Sequence, residues 1–290
     1  MLPRSPTSAA IQSTVPMKPT PTCPPSPAAP SAPPGLAPAG FAAPAPAAAG
    51  FAPAGLAPLV AFGAHPDDVE FGCGGVIALE ARGGRAAHVV VCSRGESATH
   101  GTPGGRADEA CRAAAALGAT LEFLELDGDA HLEASVAHAM RLAEVLRRVR
   151  PGIVLAPSLV ENQHPDHPRL GALVRDAARL ARYGGVAELR GAPPHAIDQL
   201  LFYAGSADAE PRDVTPVLID VSDAPVMAAW IEAMNAHASQ TSARNYVELQ
   251  LARARVRGLS AGVGHAIALF PNDPVVVDSL ATVGRGARSF

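Results

Sequence analysis

Short apolar runs alternate with longer stretches of helical periodicity through the first half of the chain, and this alternation predicts strands and helices in turn. Turn-forming or charged residues bound the apolar runs, as is common for buried strands. The predicted strands are 59–62, 87–92, 121–126 and 153–156. The helices predicted between them are 72–82, 106–117 and 132–149. Strands and helices in this order indicate a parallel sheet with helices on both faces.

The second half of the chain continues the alternation less regularly. A helix is predicted over 169–183, strands over 199–203 and 217–221, and helices over 225–239 and 243–259. A last edge strand is predicted at 274–277, where three valines follow a proline. The expected fold class is therefore α/β: a Rossmann-like, mostly parallel sheet with helices on both faces, followed by a C-terminal α/β extension.

Composition divides the chain near residue 57. The first 57 residues hold 15 of the 29 prolines, contain no Asp or Glu, and carry only Arg4 and Lys18 as charges. Such a stretch has too little patterned apolar surface to offset the entropy of ordering it. We therefore expect 1–57 to be a disordered Pro/Ala-rich tail and 58–290 to form one domain of ordinary size.

Charge and cysteine usage exclude several classes of protein. All 27 acidic residues and all but two of the 23 basic residues lie in 58–290, so this part is acidic and lacks the basic stripe of a nucleic-acid binder. No apolar run reaches the roughly 20 residues of a membrane span. The four cysteines have no C-x-x-C spacing, and one lies in the tail. We therefore predict free thiols and a reducing, cytoplasmic location.

Two clusters of histidine and aspartate follow predicted strands. The first strand runs into His65-Pro66-Asp67-Asp68, and the fourth is followed by His164-Pro165-Asp166-His167. Ligands of open α/β sheets bind beyond the carboxyl ends of the strands, so both clusters fall where a site is expected. Pro66 biases His65 away from the helical region, which favours a tight turn that keeps the polar side chains together.

These residue types suit a metal site. Histidine and aspartate are zinc ligands, and a catalytic zinc keeps three protein ligands and one position open to water. The side chains of Asp67 and Asp68 leave the backbone in different directions, so one can bind metal while the other acts as general base. Taken alone, the first cluster is equally typical of a helix N-cap, and the second of a solvated loop. Their joint occurrence at two strand ends favours the metal site.

The stretch Ala64-His-Pro-Asp-Asp-Val-Glu70, together with His164-Pro-Asp-His167, resembles the PIG-L/LmbE-like family of zinc-dependent N-deacetylases. The similarity runs from about 59 to 277, and the family removes acetyl groups from N-acetylglucosamine conjugates. The resemblance implies that 58–290 is a deacetylase domain with one zinc per chain, another divalent metal being the alternative. It also implies that His65, Asp68 and His167 are the metal ligands.

The same resemblance implies roles for five other side chains. Asp67 would be the general base, and His164 would stabilise the oxyanion and donate a proton to the leaving amine. Asp166 would orient a histidine. Arg106 and Glu96 would bind substrate. The alternatives for these last two are a surface arginine at a helix start and a loop carboxylate beside a neighbouring arginine.

Other residues near or outside the motifs are given structural interpretations. Near 264–270, where many family members have a tyrosine and an acidic residue, this chain has His265 among apolar neighbours. His195 and His237 are interpreted as loop or helix-surface histidines. Cys73 is interpreted as a small packing residue.

The expected function is hydrolysis of the acetyl amide of a small N-acetylated amino sugar or its conjugate. No nucleic-acid or membrane partner is expected, and a homo-oligomer is left open. An amidase that acts on a larger sugar conjugate would use the same centre. A non-catalytic sugar- or metal-binding module is the third hypothesis. The candidate base Asp67 beside a full ligand set disfavours it.

Overall fold

The computed structural model describes residues 55–161, 164–242, 245–280 and 286. The predicted tail lies outside these ranges up to residue 54, so its disorder stays a prediction. The described residues form seven strands: β1 (Leu59–Gly63), β2 (Ala87–Val91), β3 (Thr120–Phe123), β4 (Ile153–Pro157), β5 (Gln199–Tyr203), β6 (Val217–Asp220) and β7 (Ala266–Pro271).

The seven strands build one mixed sheet with the order β3-β2-β1-β4-β5-β7-β6. The strands from β3 to β5 are parallel to their neighbours, whereas β7 is antiparallel to both β5 and β6. The predicted α/β class with a mostly parallel sheet is therefore confirmed.

Helices cover both faces of the sheet, as predicted. They are α1 (Asp68–Arg82), α2 (Pro103–Leu117), α3 (Val136–Val149), α4 (Asp166–Arg182), α5 (Ala224–Ala236), α6 (Ala238–Thr241) and α7 (Tyr246–Ala261). Side chains of α1, α2, α5 and α7 share one hydrophobic core with the sheet, and those of α3 and α4 share the core on the opposite face.

Strand β1 lies at the centre of the five parallel strands. Leu59 and Ala61 pack into the first core, and Val60 and Phe62 pack into the second. All four side chains are at most 1% exposed. A strand buried on both faces has no polar side, which explains why its sequence is a continuous apolar run. The central position of β1 places the polar turn after it in the middle of the sheet edge.

The last predicted strand, at 274–277, is wrong. The closing strand is β7, which begins eight residues earlier and in which Ala266, Leu269 and Phe270 are each buried. Val276, within the predicted strand, is 84% exposed. Valine favours strands only where a neighbouring strand and a core face are available, and 274–277 has neither.

Among the helices that begin earlier than predicted, two shifts concern the His/Asp clusters. Helix α1 begins at Asp68 rather than at residue 72, and α4 begins at Asp166 rather than at residue 169. The glycines of α1 lie inside the helix because it packs closely on its neighbours: a Cβ at Gly72 would overlap the ring of Tyr203. Both His/Asp clusters therefore run directly into helix starts.

None of the helices within the described ranges has the length and apolarity needed to cross a membrane. Cys73 and Cys92 are buried free thiols, as predicted. Cys73 packs in the core, which agrees with its interpretation as a packing residue. The prediction is wrong for Cys111, which is disulfide-bonded.

Candidate active site

The two sequence clusters meet at one edge of the sheet. Strands β1 and β4 are adjacent and parallel, so their carboxyl ends lie side by side. The turn after β1 carries His65, and the connection from β4 to α4 carries His164 and leads to His167. The ring centroid of His65 lies 4.2 Å from that of His164 and 5.3 Å from that of His167. Parallel pairing thus brings together side chains about a hundred residues apart.

Donor atoms of His65, Asp68 and His167 face one another. His167 Nε2 lies 3.3 Å from His65 Nδ1 and 3.1 Å from Asp68 Oδ1. His65 Nδ1 lies 3.5 Å from Asp68 Oδ2. Ligand bonds of about 2.0–2.2 Å in a tetrahedral zinc site would place donors roughly 3.3–3.5 Å apart. The chemistry and the spacing of this set therefore fit such an ion.

Two further groups of side chains in the described part of the chain could hold a metal ion; both share His65 with the set above, and neither includes Asp68. One group is His65, His164 and His167, and the other is His65, Asp129, His164 and Asp166. His65 belongs to both groups and is only 6% exposed. This buried His/Asp cluster is consistent with a metal site, and it supplies more donors than one ion needs.

The two nitrogens of His65 face different partners. Nδ1 points to Asp68 and His167, whereas Nε2 lies 3.2 Å from Asp129 Oδ1 and 3.4 Å from Asp166 Oδ2. A metal-bound histidine usually donates its second N–H to a carboxylate, which fixes the ring. Burial opposes the charged form of His65. The surrounding carboxylates, Asp68 foremost, nevertheless hold its pKa well above the usual value.

Asp129 is a site residue that the sequence interpretation missed, because its segment is typical of the turn after a strand. Its side chain is buried, and its Oδ1 lies 3.3 Å from His164 Nε2 as well as close to His65. Hydrogen bonding from His65 is the main cause that lowers the pKa of Asp129. One feature of the sequence did point to a role for Asp129: it follows β3, beyond the carboxyl end of that strand.

Asp67 and Asp68 occupy different environments although they are adjacent. Asp68 Oδ2 accepts hydrogen bonds from the backbone N–H groups of Ala64 and His65, at 2.8 and 2.9 Å. Asp67 takes the N-cap position of α1, but its side chain makes no capping hydrogen bond and is 18% exposed. The N-cap alternative therefore does not account for the Asp67 carboxylate, which water can reach.

The backbone and the carboxyl group of Asp67 are both perturbed. Its φ of 114° lies in the left-handed region that non-glycine residues rarely adopt. Burial raises the pKa of Asp67 to about 6, and the Asp68 charge adds to the rise, while the cationic side chains of His237 and Arg106 oppose it. A strained residue with a raised pKa in a cleft is typical of functional sites.

Arg106 is buried, so the alternative of a surface arginine is wrong. It is 3% exposed, and its Nη2 donates to the carbonyl of Pro66 at 2.7 Å. The same nitrogen lies 3.4 Å from Asp67 Oδ2. Its Nε has no hydrogen-bond partner within the described part of the chain. The guanidinium thus supports the turn that presents Asp67, and its predicted contact with substrate stays a prediction.

Glu96 lies on an exposed loop and orders its neighbours. Its two carboxylate oxygens accept hydrogen bonds from the backbone N–H groups of Arg94 and Asp129, both at 3.0 Å. This geometry matches the alternative of a loop carboxylate beside an arginine, although the contact is to the arginine backbone. A role for Glu96 in substrate binding stays a prediction.

His164 and Asp166 complete the cluster. His164 is the more accessible of the two, with its side chain 35% exposed, and Asp166 is almost fully buried. Burial, followed by the charges of His65 and His167, lowers the pKa of His164. Asp166 Oδ2 accepts from the backbone N–H of Ala130 at 2.8 Å, beside its contact with His65. Asp166 thus lies where it can orient His65, as the resemblance implied.

Two further histidines lie outside the cluster. His195 is half-buried, and its Nε2 lies 2.7 Å from the carbonyl of Pro151, at the opposite edge of the sheet. His237 is fully buried rather than on a helix surface, so that interpretation is wrong. Its Nε2 approaches Glu70 Oε2 to 3.4 Å. The apolar side chains around α5 gave no indication that the residue ending this helix faces α1.

A mostly parallel sheet that gathers histidines and aspartates at its carboxyl edge is consistent with an α/β protein that holds a metal ion there. The family model for GlcNAc-PI de-N-acetylase (PIG-L) matches residues 60–178. Diacetylchitobiose deacetylase of Thermococcus kodakarensis is 31% identical over an alignment of 192 residues that covers 61% of this chain and 67% of that protein. The chain belongs to the PIG-L family.

Other relatives widen the range of chemistry. The 4-oxalmesaconate hydratase of Pseudomonas putida is 39% identical over an alignment of 146 residues that covers 45% of this chain. The match spans only 56% of the hydratase. The conserved protein TT1542 of Thermus thermophilus superposes with a TM-score of 0.68 and 32% identity, covering 77% of this chain and 97% of that structure. Both deacetylase and hydratase activities thus occur among the relatives.

Proposed function

We propose that the protein is a metal-dependent N-deacetylase that removes the acetyl group from an N-acetylglucosamine-type amino sugar or its conjugate. The observation that carries the proposal is the set of donor atoms of His65, Asp68 and His167, 3.1 to 3.5 Å apart, beside the accessible carboxylate of Asp67. The family and its diacetylchitobiose deacetylase member support the same reaction class. We propose zinc as the ion, at one per chain.

The three ligand residues would hold zinc and leave one position open. A zinc ion bound there would polarise the amide carbonyl and lower the pKa of its water towards about 7. Asp67 accepts the proton of the attacking water, because its carboxylate stands beside the ligand set and its side chain keeps 18% of its surface exposed. Arg106 keeps that carboxylate in place through its contacts with Pro66 and Asp67.

His164 acts on the carbonyl oxygen and the leaving nitrogen of the scissile amide, whereas Asp67 acts on the attacking water. Its imidazole donates a hydrogen bond to the developing oxyanion, an interaction that is worth about 3 kcal/mol in comparable sites. It then delivers a proton to the leaving nitrogen, so the C–N bond breaks and acetate and a free amine result. Asp129, 3.3 Å from His164 Nε2, orients the ring for both tasks.

A hydratase is the second candidate, and the 39% identity to 4-oxalmesaconate hydratase favours it. The same water and the same base would serve this reaction. The water oxygen would bond to a carbon of a C=C bond conjugated with a carbonyl, and a proton would be delivered to the adjacent carbon. No C–N bond would break. An amidase acting on a larger sugar conjugate remains within the first proposal, because it uses the same centre and bond type.

The test compares both reactions on the zinc-loaded full chain. Acetate release is measured with a panel of N-acetylglucosamine conjugates, and loss of conjugated absorbance is measured with 4-oxalmesaconate. We expect acetate release, and we expect Asp67→Asn to reduce it by about 100-fold or more while bound zinc stays near one per chain. Turnover of 4-oxalmesaconate alone would replace the deacetylase proposal with the hydratase.

Asp176→Asn provides the matched control for this substitution. Asp176 lies on α4, its side chain is 57% exposed, and it pairs with Arg179 away from the site. We expect this variant to keep full activity. If zinc binds and neither substrate turns over in the parent protein, the non-catalytic binding module becomes the better account.

A further inference from the structure

The corner between α5 and α6, formed by residues 237–240, packs against the start of α1. His237 ends α5 and is 0% exposed. Its Nε2 lies 3.4 Å from Oε2 of Glu70, which is 2% exposed and belongs to the first turn of α1. The ring centroids of His237 and Phe71 are 6.3 Å apart. A histidine from the C-terminal part of the chain is thus buried directly behind the turn that carries Asp67.

The imidazole of His237 lacks the usual features of a structural histidine. Within the part of the chain that the structure describes, neither ring nitrogen has a partner in well-aligned hydrogen-bond geometry. A buried polar group without a good hydrogen bond destabilises the folded state. The ion-pair approach to Glu70 is the contact that offsets this cost. The orientation towards α1 therefore serves something other than simple packing.

The first turn of α1 needs support from outside the helix. The φ of 114° at Asp67 is strained for a non-glycine residue, and such strain persists only where surrounding contacts enforce it. Several of these contacts come from the C-terminal helices. Trp230 Nε1 donates to the carbonyl of Glu70 at 2.8 Å, and the Phe71 ring packs edge-on against Tyr246. His237 adds the contact with the Glu70 side chain.

The same corner is tied to α2, which carries Arg106. The backbone N–H and the hydroxyl of Ser239 donate to the Glu109 carboxylate at 2.8 and 2.6 Å. Gln240 Nε2 donates to the carbonyl of His100 at 2.9 Å. The α5–α6 corner therefore connects the helix that presents Asp67 with the helix that presents Arg106.

We propose that His237 is a positioning residue for Asp67, which acts from the α5–α6 corner through Glu70 and the first turn of α1. The inference rests on the proposed role of Asp67 as base. His237 touches neither substrate nor metal. It holds Glu70, and Glu70 holds the helix turn whose preceding residue is Asp67. A displacement of about 1 Å at a catalytic group is enough to reduce turnover by about 100-fold.

The experiment uses His237→Gln, Glu70→Gln and the double variant in the full-length, zinc-loaded protein. His195→Gln is the matched control, because it makes the same substitution at a half-buried histidine on the opposite sheet edge. Hydrogen exchange of a peptide covering 67–71 is measured by mass spectrometry. Steady-state kinetics are measured with whichever substrate the parent protein turns over.

We expect faster exchange confined to 67–71 in His237→Gln and Glu70→Gln, with kcat reduced about 10- to 100-fold and KM unchanged. The double variant should lose no more than either single variant, because both break the same contact. His195→Gln should behave as the parent. Unchanged exchange at 67–71, or additive losses in the double variant, would overturn the proposal.

The two arms separate this inference from the proposed function. Hydrogen exchange reports on the turn whether or not a substrate has been found. The exchange measurement therefore tests the role of His237 even if the parent protein turns over none of the substrates. If His237→Gln does not fold, Glu70→Gln tests the same contact from the α1 side. Faster exchange at 67–71 with kcat unchanged would also contradict the proposed role, because the turn would then be free to move without effect on Asp67.

Discussion

Adjacent carboxylates at this site differ because each has its own set of contacts. Asp68 is fixed by two backbone N–H donors and faces two histidines. His167 and His65 outweigh the effect of burial and hold the pKa of Asp68 well below the usual value. Asp67 has no capping contact, and burial raises its pKa to about 6. An acid that stays ionised suits a metal ligand, and one that exchanges its proton near neutral pH suits a base.

Asp129 carries a prediction of its own. Asp129→Asn should weaken zinc binding about 10- to 100-fold, because the neutral amide no longer accepts an N–H from His65 with a full charge. The relevant contact is the 3.2 Å approach of Asp129 Oδ1 to His65 Nε2. The measurement is competition for zinc with a chelator of known affinity.

Asp127→Asn is the control from the same turn. Its side chain is 36% exposed and pairs with His138, away from the cluster. We expect zinc affinity close to that of the parent protein. Equal weakening in the two variants would mean that the turn as a whole matters, and not the contact between Asp129 and His65.

Helix α1 can reach the site only because small residues line its first half. A Cβ at Gly72 would overlap the Tyr203 ring on β5, and one at Gly74 would lie 2.8 Å from Trp230 on α5. The Tyr203 hydroxyl in turn donates to the carbonyl of Phe62 at 2.8 Å, near the end of β1. The glycines therefore set the distance between α1, β5 and α5, and with it the place of the turn before α1.

Gly72→Ala should lower the free energy of unfolding by about 1–3 kcal/mol, because the added methyl group forces Tyr203 or α1 to move in a well-packed core. Urea denaturation measures the change. Gly104→Ala is the control, since Gly104 lies in α2 and a Cβ there meets nothing within 4 Å. The free energy of unfolding of Gly104→Ala should equal that of the parent protein or be slightly higher. Equal stability of the two variants would show that the core at Tyr203 is loose.

The sequence predicts those parts of the site that are contiguous and follow a strand. Both His/Asp clusters meet this condition, since each follows an apolar run and its residues are neighbours in the chain. Asp129 does not stand out, because an Asp-Gly-Asp segment is equally typical of a turn. His237 cannot be placed from α5 alone, since its burial depends on α1 and α2. Strand β7 could not be predicted without knowing which strands lie on either side of it. The valines at 274–277 have the local propensity of a strand, and this propensity led to the wrong prediction.

The site as a whole joins separate parts of the fold. Its cluster combines residues that follow β1, β3 and β4, so three connections far apart in the chain meet there. His65 comes from the first, Asp129 from the second and His164 from the third. Without a cation, the cluster holds three histidines among several buried carboxylates. An ion that binds donors from separate connections should therefore stabilise the folded chain and not only serve catalysis.

Removal of zinc should lower the melting temperature of the parent protein, and addition of zinc should restore it. Ligand at 100 times its dissociation constant adds about 2.7 kcal/mol to the free energy of unfolding. Differential scanning fluorimetry with and without chelator measures the shift. His167→Ala should abolish it, because His167 supplies the donor atom nearest to both His65 Nδ1 and Asp68 Oδ1.

His138→Ala separates this effect from the loss of any histidine. His138 lies in the first turn of α3 and contacts Asp127 outside the cluster, so its variant should keep the full zinc-dependent shift. A shift that survives in His167→Ala would place the stabilising ion away from the His65, Asp68 and His167 donors. Loss of the shift in His167→Ala, but not in His138→Ala, would link the stability of the whole fold to the three ligand side chains on which the proposed reaction depends.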